Sequence, residues 1–241
     1  MKKINLILQG KGGVGKSLIA SLLTQHYRAR DIAPLCIDTD PVNATFSSYR
    51  AFEVQRLEIL KDNNIDQRVF DELVETIIGA KDDCVAIIDN GAATFVPLCS
   101  YLVENDVLGF FNEQGLAITI HTVMTGGQAL EDTTLGLANL FDAFPEIPIC
   151  IWFNEFWGKP QKEGTPFETT RLYKDNAHQI SALVCIPQVR KETFGRDLDQ
   201  MLKEKLTFEE VQSNPDFTIM AKQRIRMMWN DLSEQMTQAN L

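Results

Sequence analysis

Residues 10–17 read GKGGVGKS, and Gly10, Gly15, Lys16 and Ser17 fall on the spacing GxxxxGK[ST]. The apolar run Ile4 to Leu8 precedes this stretch, and a segment with helical spacing, Lys16 to Arg30, follows it. A strand, a glycine-rich turn and a helix in that order are the setting the pattern requires. The glycines let successive backbone N–H groups turn inward without a Cβ clash, and the start of the helix adds partial positive charge. The stretch therefore predicts a loop wrapping the phosphates of a magnesium nucleotide. Lys16 is expected on the β- and γ-phosphates, and the Ser17 hydroxyl on Mg2+.

Further apolar runs occur at Leu35 to Ile37, Val85 to Ile88, Val107 to Phe111, Ala117 to Val123, Ile149 to Phe153 and Leu183 to Ile186. Near-continuous runs of this kind suit strands buried on both faces of a parallel sheet. Helical spacing recurs between them at Arg68 to Ile78, Gln128 to Phe144 and Phe194 to Leu206. The alternation predicts an α/β fold: a doubly wound, mostly parallel sheet with helices on both faces. With 241 residues and 44% hydrophobic content, one domain spanning 1–241 is expected. GKPQKEGTP, residues 158–166, reads as an exposed loop, a connection or a partner contact. Residues 218–238 read as a closing helix, with Ile219, Met220, Ile225, Met228, Trp229, Leu232 and Met236 near one face. Core packing explains that stripe more simply than a partner site or a membrane foot.

The net charge of −10 disfavours contact between the whole surface and nucleic acid, leaving direct DNA binding to a local basic patch or a basic partner protein. Between Arg190 and Glu210, basic and acidic residues are interspersed, which reads as a solvated surface. No apolar run approaches membrane-spanning length and no secretory signal is seen, so a cytoplasmic protein is expected. The five cysteines form no CxxC pair, and four of them lie in or beside apolar runs, as buried thiols of a reducing compartment do.

Lys11 places a second lysine beside the first glycine, so KGGVGKS resembles the deviant Walker A motif of the ParA/MinD ATPases. In that family ATP is sandwiched between two subunits and the extra lysine crosses to the other subunit's nucleotide. The resemblance implies ATP and Mg2+ as ligands, an ATP-dependent homodimer, and catalytic roles for Lys11, Lys16 and Asp40. The phosphate loop would comprise Gly10, Lys11, Gly12, Gly13, Val14, Gly15, Lys16, Ser17 and Leu18. IDTDP, Ile37 to Pro41, resembles the first switch, where Asp40 would orient the attacking water and Asp38 lie near the metal. A carboxylate pair after a strand also suits a turn or a helix cap. The family's asparagine after the proline stands one residue further on than Asn43 does here. VAIID, Val85 to Asp89, resembles a Walker B strand whose carboxylate holds Mg2+ through water, with Asn90-Gly91-Ala92 in place of the family's proline and glycine run. Asn154 and Pro187 match positions near adenine, although an asparagine after a strand is also a common turn residue.

The blocks LQGKGGVGKS, PLCIDTDPVNATF, TVMTGGQAL, ETFGRDLDQML and LTFEEV more narrowly resemble TraL-type proteins of plasmid conjugation systems. That implies an ATPase acting with a partner protein of a plasmid transfer or partition apparatus. Three other readings stay open: a metabolic phosphoryl-transfer enzyme resembling dethiobiotin synthetases, a nucleotide-binding module without hydrolysis, and an iron–sulfur reductase using Cys99.

Overall fold

The computed structural model describes residues 2–61, 64–162 and 164–241. Six of the apolar runs form strands: β1 (Lys3–Ile7), β2 (Leu35–Asp38), β4 (Val85–Asp89), β5 (Ala117–Thr125), β6 (Ile149–Asn154) and β7 (Ile180–Ile186). A short edge strand that the apolar pattern does not mark, β3 (Val54–Arg56), completes a seven-stranded sheet in the order β7-β6-β5-β1-β4-β2-β3. Every neighbouring pair is parallel. β3 escapes the pattern because VQR carries one apolar side chain and sits on the edge, with Gln55 and Arg56 exposed.

Successive strand residues point to opposite faces, so Leu6 and Ile7 enter different cores. Leu6 joins the core under α2 (Val69–Gly79), α3 (Phe95–Glu104), α4 (Val107–Glu113) and α5 (Leu130–Ala143). Ile7 joins the core under α1 (Lys16–Arg28), α7 (Arg196–Lys203), α8 (Phe208–Ser213) and α9 (Ile219–Gln238). A small helix, α6 (Arg171–Asp175), precedes β7. The expected layering, helices on both faces of a parallel sheet, is thus present.

Val107 to Phe111, expected as a strand, is instead the start of α4. Val107, Leu108 and Phe111 are buried while Phe110 is 41% exposed, the one-sided burial of a helix. Five apolar residues in a row look alike in either state, and Asp106, at φ 46°, turns the chain so that the Phe110 N–H reaches the Asp106 carbonyl.

The closing helix is present, with a narrower face than expected. Ala221, Ile225, Met228, Leu232 and Met236 are buried, and Trp229 is half-buried, stacked on Phe208 at 5.0 Å. Ile219 and Met220 are 85% and 59% exposed. At about 100° per residue they lie well off the buried stripe. In the 158–166 stretch, Gln161–Lys162 pairs antiparallel with Thr165–Pro166 as a small exposed hairpin, and Glu163 lies outside the described residues. Among the described residues no helix is long and apolar enough to cross a membrane.

Candidate functional site

Parallel sheets place their ligands outside the carboxyl ends of the strands. Here Ile7 and Asp38 both register against Asp89, so β1, β4 and β2 finish side by side. The loop of residues 10–15 leaves β1 there and closes at Gly15, the residue before α1. Gly13 and Gly15 have φ of 73° and 112°, left-handed backbone that suits glycine. A Cβ on Gly15 would also lie 2.8 Å from Asn154 Nδ2.

Two buried amides hold the loop in shape. Asn154, at the end of β6, donates from Nδ2 to the Val14 carbonyl at 2.8 Å and accepts at Oδ1 from the Phe156 N–H. Gln9 is fully buried and donates from Nε2 to the carbonyls of Val123 and Thr133, while its Oε1 accepts from the Lys11 N–H. Gly136 leaves room for that amide; a Cβ there would overlap it.

A hollow of about 400 Å³ opens over the loop. Gly12, Gly13, Gly15, Lys16, Ser17 and Leu18 form one wall, and Asp40, Asn43, Thr45, Tyr49 and Ala92 form another. Lys16 is 8% exposed and its ammonium donates to the Lys11 carbonyl at 3.0 Å. Burial lowers its pKa, with Asp89 and Asp40 opposing.

The carboxylates have separate local tasks. Asp38, fully buried, accepts the Asp40 N–H at Oδ1 and the Ser47 N–H at Oδ2, and so pins the segment after β2. Burial raises its pKa, against those hydrogen bonds. Asp40 accepts the N–H groups of Val42 and Asn43 at Oδ1, which leaves Oδ2 free of those bonds. Asp89 is buried and its Oδ1 has no hydrogen-bond partner among the described residues. Burial first, with the like charges of Asp38 and Asp40, pushes its pKa up to about 7, while the Ser17 hydroxyl and Lys16 pull it down. An orphaned, buried carboxylate oxygen on a residue that also meets a serine hydroxyl is oxygen chemistry that fits a hard cation such as Mg2+.

Residues that motif reading did not single out join the site. Thr39 and Thr94 both donate to Asn90 Oδ1, at 3.0 and 2.7 Å, which ties the segment after β2 to the segment after β4. Tyr49 and Lys205 line the hollow, from regions that carry no phosphate-loop motif. In the sequence, the signal for Gln9 is a lone amide between the apolar run Ile4 to Leu8 and the loop; its full burial shows only in the structure.

Other expected residues are placed elsewhere. Lys11 lines a neighbouring cavity with Trp157, and its ammonium lies 2.7 Å from Asp132 Oδ2 on α5. Gly10 is exposed and faces Phe95, and the Val14 side chain is buried in the core. Pro187, half-buried just past β7, is not among the residues lining the hollow, and Asn154 lies beneath the loop rather than on the hollow's wall. Cys99 is half-buried in α3 against the core. Among the described residues no cluster of His, Cys, Asp and Glu stands ready as a metal centre of its own.

No protein-family model matches the chain. Protein TraL of Escherichia coli is 47% identical over 240 residues, covering 99% of both chains. A second Escherichia coli protein of that name is 45% identical over 240 residues, again covering 99% of both. Among solved structures, the MinC:MinD cell division protein complex of Aquifex aeolicus superposes with a TM-score of 0.56 at 14% identity, covering 96% of each chain. Cyanthece apo McdA gives 0.55 at 14%, covering all of both chains. The septum site-determining protein MinD with Mg-ADP from Pyrococcus horikoshii gives 0.53 at 16%, covering 95% of each. At such identities the structural likeness shows the fold, that of the ParA/MinD-like P-loop proteins.

Proposed function

We propose that this chain, which belongs to the TraL family, is an ATP-driven switch of a plasmid transfer or partition apparatus. The observation that carries the reading is the convergence of Lys16, Ser17 and Asp40 on one hollow, with Asp89 buried beside it. Loop N–H groups and Lys16 bind the triphosphate. Ser17 and Asp89, with Asp38 alongside, would hold Mg2+, which would supply neutralising charge at the phosphates. Asp40 orients the attacking water. Slow hydrolysis to ADP and phosphate resets the switch.

Lys11 is assigned to a second copy's nucleotide. It is 43% exposed, bound to Asp132, and absent from the wall of its own hollow, which is how a lysine serving another subunit would stand. A cation supplied in this way couples hydrolysis to dimerisation. The MgATP-bound homodimer would present itself to a protein partner, in the cytoplasm and within one domain of residues 1–241. Asn154 and Pro187 remain assigned to the adenine end, Asn154 acting through the loop it anchors.

Light scattering with and without MgATP tests this. The mass is expected to double with MgATP, and an unchanged monomer mass at saturating nucleotide overturns the switch. A second reading, a nucleotide-binding module without hydrolysis, is favoured by Asn90-Gly91-Ala92 standing where the family has its proline and glycine run. Asp40→Ala separates the two. The switch loses phosphate release with MgATP binding retained, whereas the module shows the same background release before and after substitution.

A further inference from the structure

Lys205 belongs to a stretch whose interspersed charges read as solvated surface, yet it is half-buried and lines the hollow over the phosphate loop. It follows the end of α7, and its backbone has φ of 55°, left-handed for a residue other than glycine. Such a conformation crowds the Cβ against the backbone and persists only where the surroundings fix it.

The surroundings do so here. The Leu206 N–H reaches back to the Met201 carbonyl at 3.0 Å. Thr207 and Glu210 then close a reciprocal cap on α8, and the Phe208 N–H donates to Gln25 Oε1 at 2.7 Å. Gln25 lies on α1, the helix that begins at the phosphate loop. The turn bearing Lys205 is therefore tied to the element that positions the loop.

The Lys205 ammonium stands 5.9 Å from the centre of the Tyr49 ring, and Tyr49 is itself buried and lines the hollow. Lys205 takes part in no ion pair among the described residues. Burial lowers its pKa, so its charge is held at a cost that an anion would relieve. The same hollow is lined by the loop glycines, Lys16 and Ser17, whose N–H groups and charge call for phosphate oxygens.

We propose that Lys205 is a further nucleotide-binding residue, contacting the phosphate chain from a wall that neither the loop nor the two switch segments supply. The inference rests on the reading of the hollow as an MgATP site.

Isothermal titration of MgATP into the full chain tests it, with Lys205→Asn, Lys205→Arg and Lys16→Ala in parallel. Asparagine tolerates this φ and removes the charge, so Lys205→Asn is expected to melt without nucleotide no lower than the unsubstituted chain. It is expected to bind MgATP about tenfold more weakly. Lys205→Arg keeps the cation and is expected to stay within about threefold of the unsubstituted chain. Unchanged affinity in Lys205→Asn, beside lost binding in Lys16→Ala, overturns the role of Lys205 alone. An equal loss in Lys205→Arg overturns it too, since the charge would not be what matters. No binding by the unsubstituted chain overturns the MgATP site itself.

Discussion

Asp40 fills the space that a side chain at Gly91 would need: a Cβ on Gly91 would lie 2.7 Å from Asp40 Cγ and 2.9 Å from Asp40 Cα. The segment after β2 and the segment after β4 therefore touch with no atom to spare. Their backbones are also joined, through the Thr39 N–H to the Asp89 carbonyl at 2.9 Å.

Gly91→Ala tests that contact. Gly91 has φ of −66° and ψ of 153°, which alanine adopts freely, so the effect is steric and falls on Asp40. Overpacking of this kind costs about 1–3 kcal/mol in unfolding free energy. Phosphate release is expected to fall at least as far as in Asp40→Ala while MgATP still binds. Turnover equal to that of the unsubstituted chain would show that Asp40 can shift without consequence.

Asn154→Ala removes the donor to the Val14 carbonyl and opens space under Gly15. Loss of a buried hydrogen bond costs about 1–3 kcal/mol, read by urea denaturation. Because the loop loses its underside anchor, MgATP affinity is expected to drop together with stability. Asn154→Asp, which cannot donate to that carbonyl, should behave similarly. Full affinity in both variants would mean the loop holds its shape unaided.

Asp132→Asn frees the Lys11 ammonium from its exposed partner on α5. Pairs this exposed contribute roughly 0–1 kcal/mol, so the melting temperature is expected to move little. If Lys11 serves a second subunit, dimerisation should need less MgATP in the variant, as followed by analytical ultracentrifugation. In Lys11→Ala, dimerisation is expected to disappear with nucleotide binding retained. An Asp132→Asn dimer that forms less readily would instead make Asp132 part of the dimer contact.

His121 gives a pH dependence. It is fully buried between Asn5, whose Oδ1 stands 3.0 Å from Nε2, and Trp152, whose indole N–H donates to Nδ1. Desolvation lowers its folded pKa from 6.5 to about 3. His26 is lowered to about 4, mainly by burial, with Arg30 and Lys3 adding to it. The unfolded chain therefore takes up protons first, and the stability these neutral rings contribute, complete above about pH 6.5, is lost as pH falls toward 3–4. Each ring adds at most about 1.4 kcal/mol per pH unit to the slope. His121→Gln is expected to flatten urea-denaturation stability between pH 6.5 and 4; an identical slope would mean that other groups carry it.

Much of the fold could be read locally. Buried parallel strands are apolar almost throughout, so six of the seven showed in the sequence, while β3 and α4 did not. A three-residue edge strand has no buried face to announce it, and a short apolar run has no period until its neighbours choose its face. The phosphate loop could be read because its chemistry is set by contiguous residues: glycines for backbone freedom, then lysine and serine at the start of a helix.

Contiguous residues also carried the carboxylates of β2 and β4, since each ends its own strand. What sequence order could not supply were relations between segments far apart along the chain: Asn154 under Gly15, Lys11 on Asp132, Asp40 against Gly91, and Lys205 beside Tyr49. Backbone conformation and hydrophobic period are properties of neighbours in sequence. Which distant side chains meet depends on strand order, register and the packing of helices on the sheet, and those exist only once the chain has folded.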